Sequence, residues 1–226
     1  MTGREREEKL KEKFNNDASS LSDVELLELL LCRSEKTDCA EGTAKKLISV
    51  FGSLNGVLTA PREALSGLGV SENTAILLSL CRNIEKQVHV DASKNIKYLH
   101  GTEDAIRLCK LILCTEPLEN MLFITLDENN KIINIHRLTV LGTVSTVTVN
   151  PQDLAKAAIF DNAHSVIISH NHPHGRPEVS KEDVEFTLKT TTMLREIGVL
   201  LADHIIIGEN SNTSMRSIKK YNGYFD

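Results

Sequence analysis

The chain has 226 residues, 41% of them apolar and 25% charged, with a formal net charge of −5 and no tryptophan. That length accommodates one large domain or two small ones, with cores resting on Leu, Ile and Val. No window approaches the roughly 18 uninterrupted apolar residues of a membrane span, so no membrane partner is expected.

In chain order, the stretch from Met1 to Lys13 mixes both charges and lacks the apolar segment of a signal peptide. Residues 24–31, 42–51 and 75–88 read as helices, with glycine turns at Gly52, Gly56 and Gly67-Leu68-Gly69 between them. Residues 1–88 are therefore expected to form a helical unit, and the mostly polar stretch 89–101 a linker. From residue 102 the pattern changes. A helix over 103–113 leads to a strand after Glu119, and Asn129-Asn130 turns it into a second strand over 132–138. A third strand is expected after Gly142, then a helix over 152–162, an apolar β-branched run from Ser165 to Ser169, a helix over 181–197 and a strand over 199–207. Residues 102–226 thus predict an α+β unit of mixed strands with flanking helices. Five cysteines without a Cys-x-x-Cys pair read as reduced thiols of a cytoplasmic protein.

The chemistry is concentrated where the apolar run ends, at His170-Asn171-His172-Pro173, followed by Ser180 and Asp183. Residues two apart in a strand share a face, so His170 and His172 lean the same way. Pro173 then removes a backbone donor and ends the strand. Ser180 opens a helical pattern with Asp183 in its first turn. Two imidazoles and a carboxylate, with a fourth position for water, form the ligand set of a catalytic zinc. Ser180-x-x-Asp183 equally fits a helix capping box. A cap leaves the serine hydroxyl free to face the site as well, so both readings stand. A nucleobase deaminase would need His-x-Glu and Pro-Cys-x-x-Cys, and a serine hydrolase a Gly-x-Ser-x-Gly elbow; the chain has none of these.

This spacing resembles the JAMM (MPN or JAB) metalloprotease motif and, within that group, the bacterial RadC family. Members carry His-Asn-His-Pro-Ser-Gly and then Pro-x-x-Ser-x-x-Asp-x-x-x-Thr. Here the residues are His170 to Gly175, Pro177, Ser180, Asp183 and Thr187, with His174 in place of the serine. The likeness extends to Leu21-Ser22-Asp23-Val24-Glu25-Leu26-Leu27, to Gly142-Thr143 and to Asp203-His204 before Ile205 to Gly208. It departs at Pro151-Gln152-Asp153, where members often have Pro-Arg-Glu.

The resemblance implies a cytidine deaminase-like core and one Zn2+ per chain on His170, His172 and Asp183. It makes Glu119, at the entry of an early strand, the general acid/base, and it gives the Ser180 hydroxyl to the oxyanion. A peptide or isopeptide bond in a protein or peptide substrate would be cut by metal-activated water. The resemblance also implies a helix-hairpin-helix-like module around Gly67 and Gly69, whose backbone amides would meet a DNA phosphate. The alternative is therefore a non-catalytic, DNA-associated scaffold in repair or recombination. Against it, acidic residues slightly outnumber basic ones between Met1 and Val88, whereas DNA affinity depends heavily on Lys and Arg. The substrate itself is not written in the sequence.

Overall fold

The charge run at the N-terminus is a helix, α1 (Gly3–Asn16), which its lack of an apolar stripe had hidden. Thr2 Oγ1 accepts the Glu5 amide and the Glu5 carboxylate accepts the Thr2 amide, so a reciprocal cap starts it. The structure is a computed structural model that describes residues 2–139, 150–173 and 175–225. The strand expected after Gly142, the Gly142-Thr143 turn and His174 lie outside the described residues.

The chain divides into two units, Met1–Gln87 and Val88–Asp226. In the first, α1 is followed by α2 (Asp23–Leu31), α3 (Thr37–Phe51), α4 (Leu54–Thr59), α5 (Arg62–Gly67) and α6 (Glu72–Ser93), the last running past the boundary. Its core is aliphatic, built on Leu27, Leu31, Leu47, Val57, Leu65 and Leu78. The Arg6 guanidinium grips the buried Glu28 carboxylate with two parallel bonds, 2.6 and 2.9 Å long.

The glycine turn between α5 and α6 is closed by its own backbone. Gly69 adopts a left-handed φ of +86°, its amide donates to Ser66 O and the Val70 amide to Leu65 O. This is a Schellman helix end, with Gly69 at the one position that favours the residue without a Cβ. The next amide, Ser71 N–H, donates to Glu35 Oε1 at 3.1 Å, and the Thr74 hydroxyl reaches the same oxygen at 2.6 Å. A carboxylate of the chain itself thus sits at the start of α6.

The second unit holds α7 (Thr102–Leu113), β1 (Asn120–Leu126), β2 (Ile132–Thr139), α8 (Pro151–Phe160), β3 (Ser165–Asn171), α9 (Lys181–Glu196), β4 (Leu200–Ile207) and β5 (Asn212–Ser214). The sheet order is β2-β1-β3-β4-β5. The β3–β4 pair is parallel and the other pairs are antiparallel, so the sheet is mixed, with helices on both faces. Alternation along the strands sorts the side chains. Leu122, Ile124, Leu126 and Ile167 pack with Leu108 and Ile112 of α7. Met121, Phe123, Val166 and Ile168 pack with Leu154 of α8 and Leu194 of α9. By the same alternation His170 belongs to the α9 face and Asn171 to the α7 face.

The stretch 89–101, read from its polarity as a linker, has structure of its own. Helix α6 runs to Ser93, Tyr98 bridges Lys131, and the Leu99 amide donates to Asn130 O. The Leu99 side chain is buried in the α7-side core. Among the described residues no helix is long and apolar enough to cross a membrane.

Candidate metal centre

Every residue of β3 is buried, which brings His170 into the interior at 1% exposure. One residue past the strand the ladder still holds, because the His172 amide donates to Ile207 O at 2.8 Å. Pro173 then releases the chain into the loop that leads to α9. Gly208 lets this loop lie against the end of β4: a Cβ there would come within 2.6 Å of Pro177 Cδ.

The capping box at the start of α9 is formed. Ser180 Oγ accepts the Asp183 amide at 3.0 Å, while Asp183 Oδ2 accepts both the Ser180 amide, at 2.9 Å, and the Ser180 hydroxyl, at 2.6 Å. The cap occupies one carboxylate oxygen and leaves Oδ1 pointing at His170 Nε2, 3.3 Å away. The same serine that caps the helix therefore orients the acid.

The hydrogen-bond partners around the site fix where its protons lie. The Thr187 hydroxyl donates to the carbonyl of Asp183 at 2.6 Å, so its oxygen accepts from His204 Nδ1, 2.7 Å away. His204 Nε2 then has no proton and accepts from His170 Nδ1 at 3.0 Å. His172 Nδ1 faces only a carbonyl, Arg176 O, at 2.9 Å, and must donate to it. The two Nε2 atoms face each other 3.0 Å apart, with Asp183 Oδ1 3.3 Å from that of His170. Burial opposes protonation of His170 and pushes its pKa down to about 4, so its Nε2 is a bare lone pair near neutral pH. Burial lowers His204 in the same sense. Burial opposes ionisation of Asp183, yet His170 and the Ser180 bonds together hold its carboxyl below the usual range.

Two imidazole nitrogens and a carboxylate oxygen converge on one point, an arrangement that a cation between them would stabilise. Ligands about 2.0–2.1 Å from a tetrahedral ion sit roughly 3.3 Å apart, close to the separations seen here. The residues fit a divalent metal. Glu119 joins from the loop before β1, its carboxylate within 4.8 Å of the ring nitrogens of both His170 and His172. Partial burial raises its pKa; His172 lowers it and Asp183 raises it further.

The structure thus gathers Glu119, His170, His172, Asp183 and Ser180 in one place. Gly67 and Gly69 lie in the other unit. Sequence reasoning assigned no role to His204 or Thr187. A histidine inside an apolar strand reads as core, although Thr187, one helical turn beyond Asp183, shares its face of α9.

A mixed sheet between helices, with histidines at a strand end and an acid at the next helix start, defines a metal-binding domain of the JAB type. The family described as RadC-like JAB domain matches residues 99–221, more than half of the chain. The UPF0758 protein SPO0054 of Ruegeria pomeroyi is 32% identical over 219 residues, covering 95% of this chain and 96% of the relative. The chain belongs to the RadC family.

Proposed function

We propose that the chain is a zinc-dependent metallohydrolase that cleaves a peptide or isopeptide bond in a protein or peptide substrate. The observation that carries this reading is the convergence of donor atoms from His170, His172 and Asp183 beside the Glu119 carboxylate, whose pKa burial raises. One Zn2+ held there would supply Lewis acidity toward a carbonyl and a water acidified to near neutral pKa. Glu119 takes the proton of the attacking water and returns it to the leaving amine, and its raised pKa brings it nearer the pH at which both transfers are efficient. His204 and Arg176 O hold the His170 and His172 rings by their Nδ1 atoms, which leaves Nε2 of each to face the site. The Ser180 hydroxyl, held by Asp183 in this structure, serves the developing oxyanion once it rotates off the carboxylate.

Residues 1–88 are assigned as a helix-hairpin-helix-like supporting domain, 89–101 as the connection and 102–226 as the hydrolase. The alternative, a DNA-associated scaffold, finds less support. The amides of Leu68, Gly69, Val70 and Ser71 all have internal acceptors, and Glu35 fills the position a phosphate would take at α6. The five cysteines form no disulfide, in keeping with a reducing compartment such as the cytoplasm.

Elemental mass spectrometry of the purified chain tests the proposal first, with about one zinc per chain expected for one such site and none in Asp183→Ala. Glu119→Gln should keep its zinc and lose peptide or isopeptide hydrolysis about 10²–10⁴-fold. A folded protein that takes up no zinc would end the hydrolase reading.

A further inference from the structure

Asn171 lies between the two histidines, and strand alternation sends its side chain to the opposite face of the sheet. It is 3% exposed, and its amide is fully engaged. Oδ1 accepts the Asn120 amide at 2.8 Å, while Nδ2 donates to Leu118 O at 3.1 Å and to Glu116 O at 3.3 Å. These partners bracket Glu119. The Leu118 carbonyl belongs to the peptide plane before Glu119 and the Asn120 amide to the plane after it. Peptide units are planar and rigid, so holding both planes fixes the Cα of Glu119 and the direction of its Cα–Cβ bond. From there its carboxylate lies within 4.8 Å of a ring nitrogen of His170 and of His172.

We propose that Asn171 is a positioning residue that holds Glu119 against the metal centre by clamping the loop between α7 and β1. The task calls for one acceptor and two donors converging from a short, stiff side chain. Asn alone meets that requirement here: Asp cannot donate, Ser and Thr carry one donor, and Gln is a methylene too long for a closed site. One three-residue step of chain thereby supplies two ligands on one face and the anchor of the base on the other. The clamp itself is a matter of structure; its effect on rate rests on the hydrolase reading.

The test is Asn171→Ala in the full chain, with Asn171→Ser as the gentler replacement if the alanine variant does not fold. Hydrogen exchange at the Asn120 amide is expected to speed up about tenfold or more, the loss of one buried hydrogen bond. Zinc affinity, measured by chelator competition with Zn2+ alone, should stay within a few-fold of wild type, because no donor to the ion is touched. On a hydrolysed peptide, kcat should fall toward the level of Glu119→Gln with KM little changed. Adding Asn171→Ala to Glu119→Gln should then cost almost nothing more, as for two residues acting as one unit. Unchanged exchange at Asn120, a zinc loss as large as that of His170→Ala, or rate losses that multiply in the double variant would each overturn the assignment. If the wild-type chain hydrolyses nothing, the hydrolase reading fails, while exchange and zinc affinity still decide the clamp.

Discussion

At the scale of the residue, the site is governed by proton placement rather than by the ligands alone. His204 touches no proposed substrate and need not touch the ion. Its Nε2 must be bare for His170 to keep a proton on Nδ1 and offer Nε2 to a cation. Thr187 enforces that state from the far side. Partners behind a metal-binding histidine commonly govern 10–100-fold in affinity. His204→Ala should therefore weaken Zn2+ binding by about that factor while the sheet stays folded, as isothermal titration and circular dichroism would report. An unchanged affinity would mean that His170 is oriented by β3 alone. Sequence revealed the cluster of His170, His172 and Asp183 because its spacing is local, and it gave His204 no role because 34 residues separate it from the ring it faces. Only the pairing of β3 with β4 brings the two together.

At the scale of the element, the legible parts are those with a strong period. Strands β1, β3 and β4 and helices α7 and α9 carry enough apolar residues to be read directly. What escaped reading had no such signal. Helix α1 is charged on most of its surface, β5 has three residues, and α4 and α5 have six each. The structured stretch before α7 looked like a linker because it gives the core little beyond Leu99 and the partly buried Ile96. The loop from β3 to α9 is likewise set by a contact that sequence does not display, the approach of Gly208 to Pro177. Gly208→Ala would push a Cβ to 2.6 Å from Pro177 Cδ and 2.9 Å from Gly175 O. Overpacking of this kind costs about 1–3 kcal/mol. A lower urea midpoint is expected, together with weaker zinc binding, because the displaced loop separates His172 from Asp183. Full zinc affinity in the variant would show that the loop yields without moving its ends.

At the scale of the whole molecule, the two units should differ in their response to acid. His170 has a folded pKa of about 4 against an ordinary 6.5. In metal-free protein the unfolded state binds the extra proton more readily, so stability present above about 6.5 is lost as pH falls toward 4. In the helical unit, Glu25 is lowered from 4.5 to about 2, chiefly by its bond to Lys13. That contribution is intact above 4.5 and disappears only as pH falls toward 2. Calorimetry of the zinc-free chain between pH 7 and 3 should therefore show the transition of Val88–Asp226 falling first, with that of Met1–Gln87 following at lower pH. A shared, parallel decline would argue that one cooperative unit spans the chain. The double duty of Asp183 has a practical side too. Because Oδ2 holds the Ser180 amide while Oδ1 faces His170 Nε2, that single backbone proton would gauge occupancy of the proposed site. Its nuclear magnetic resonance should move on metal loading, an assay that needs no substrate.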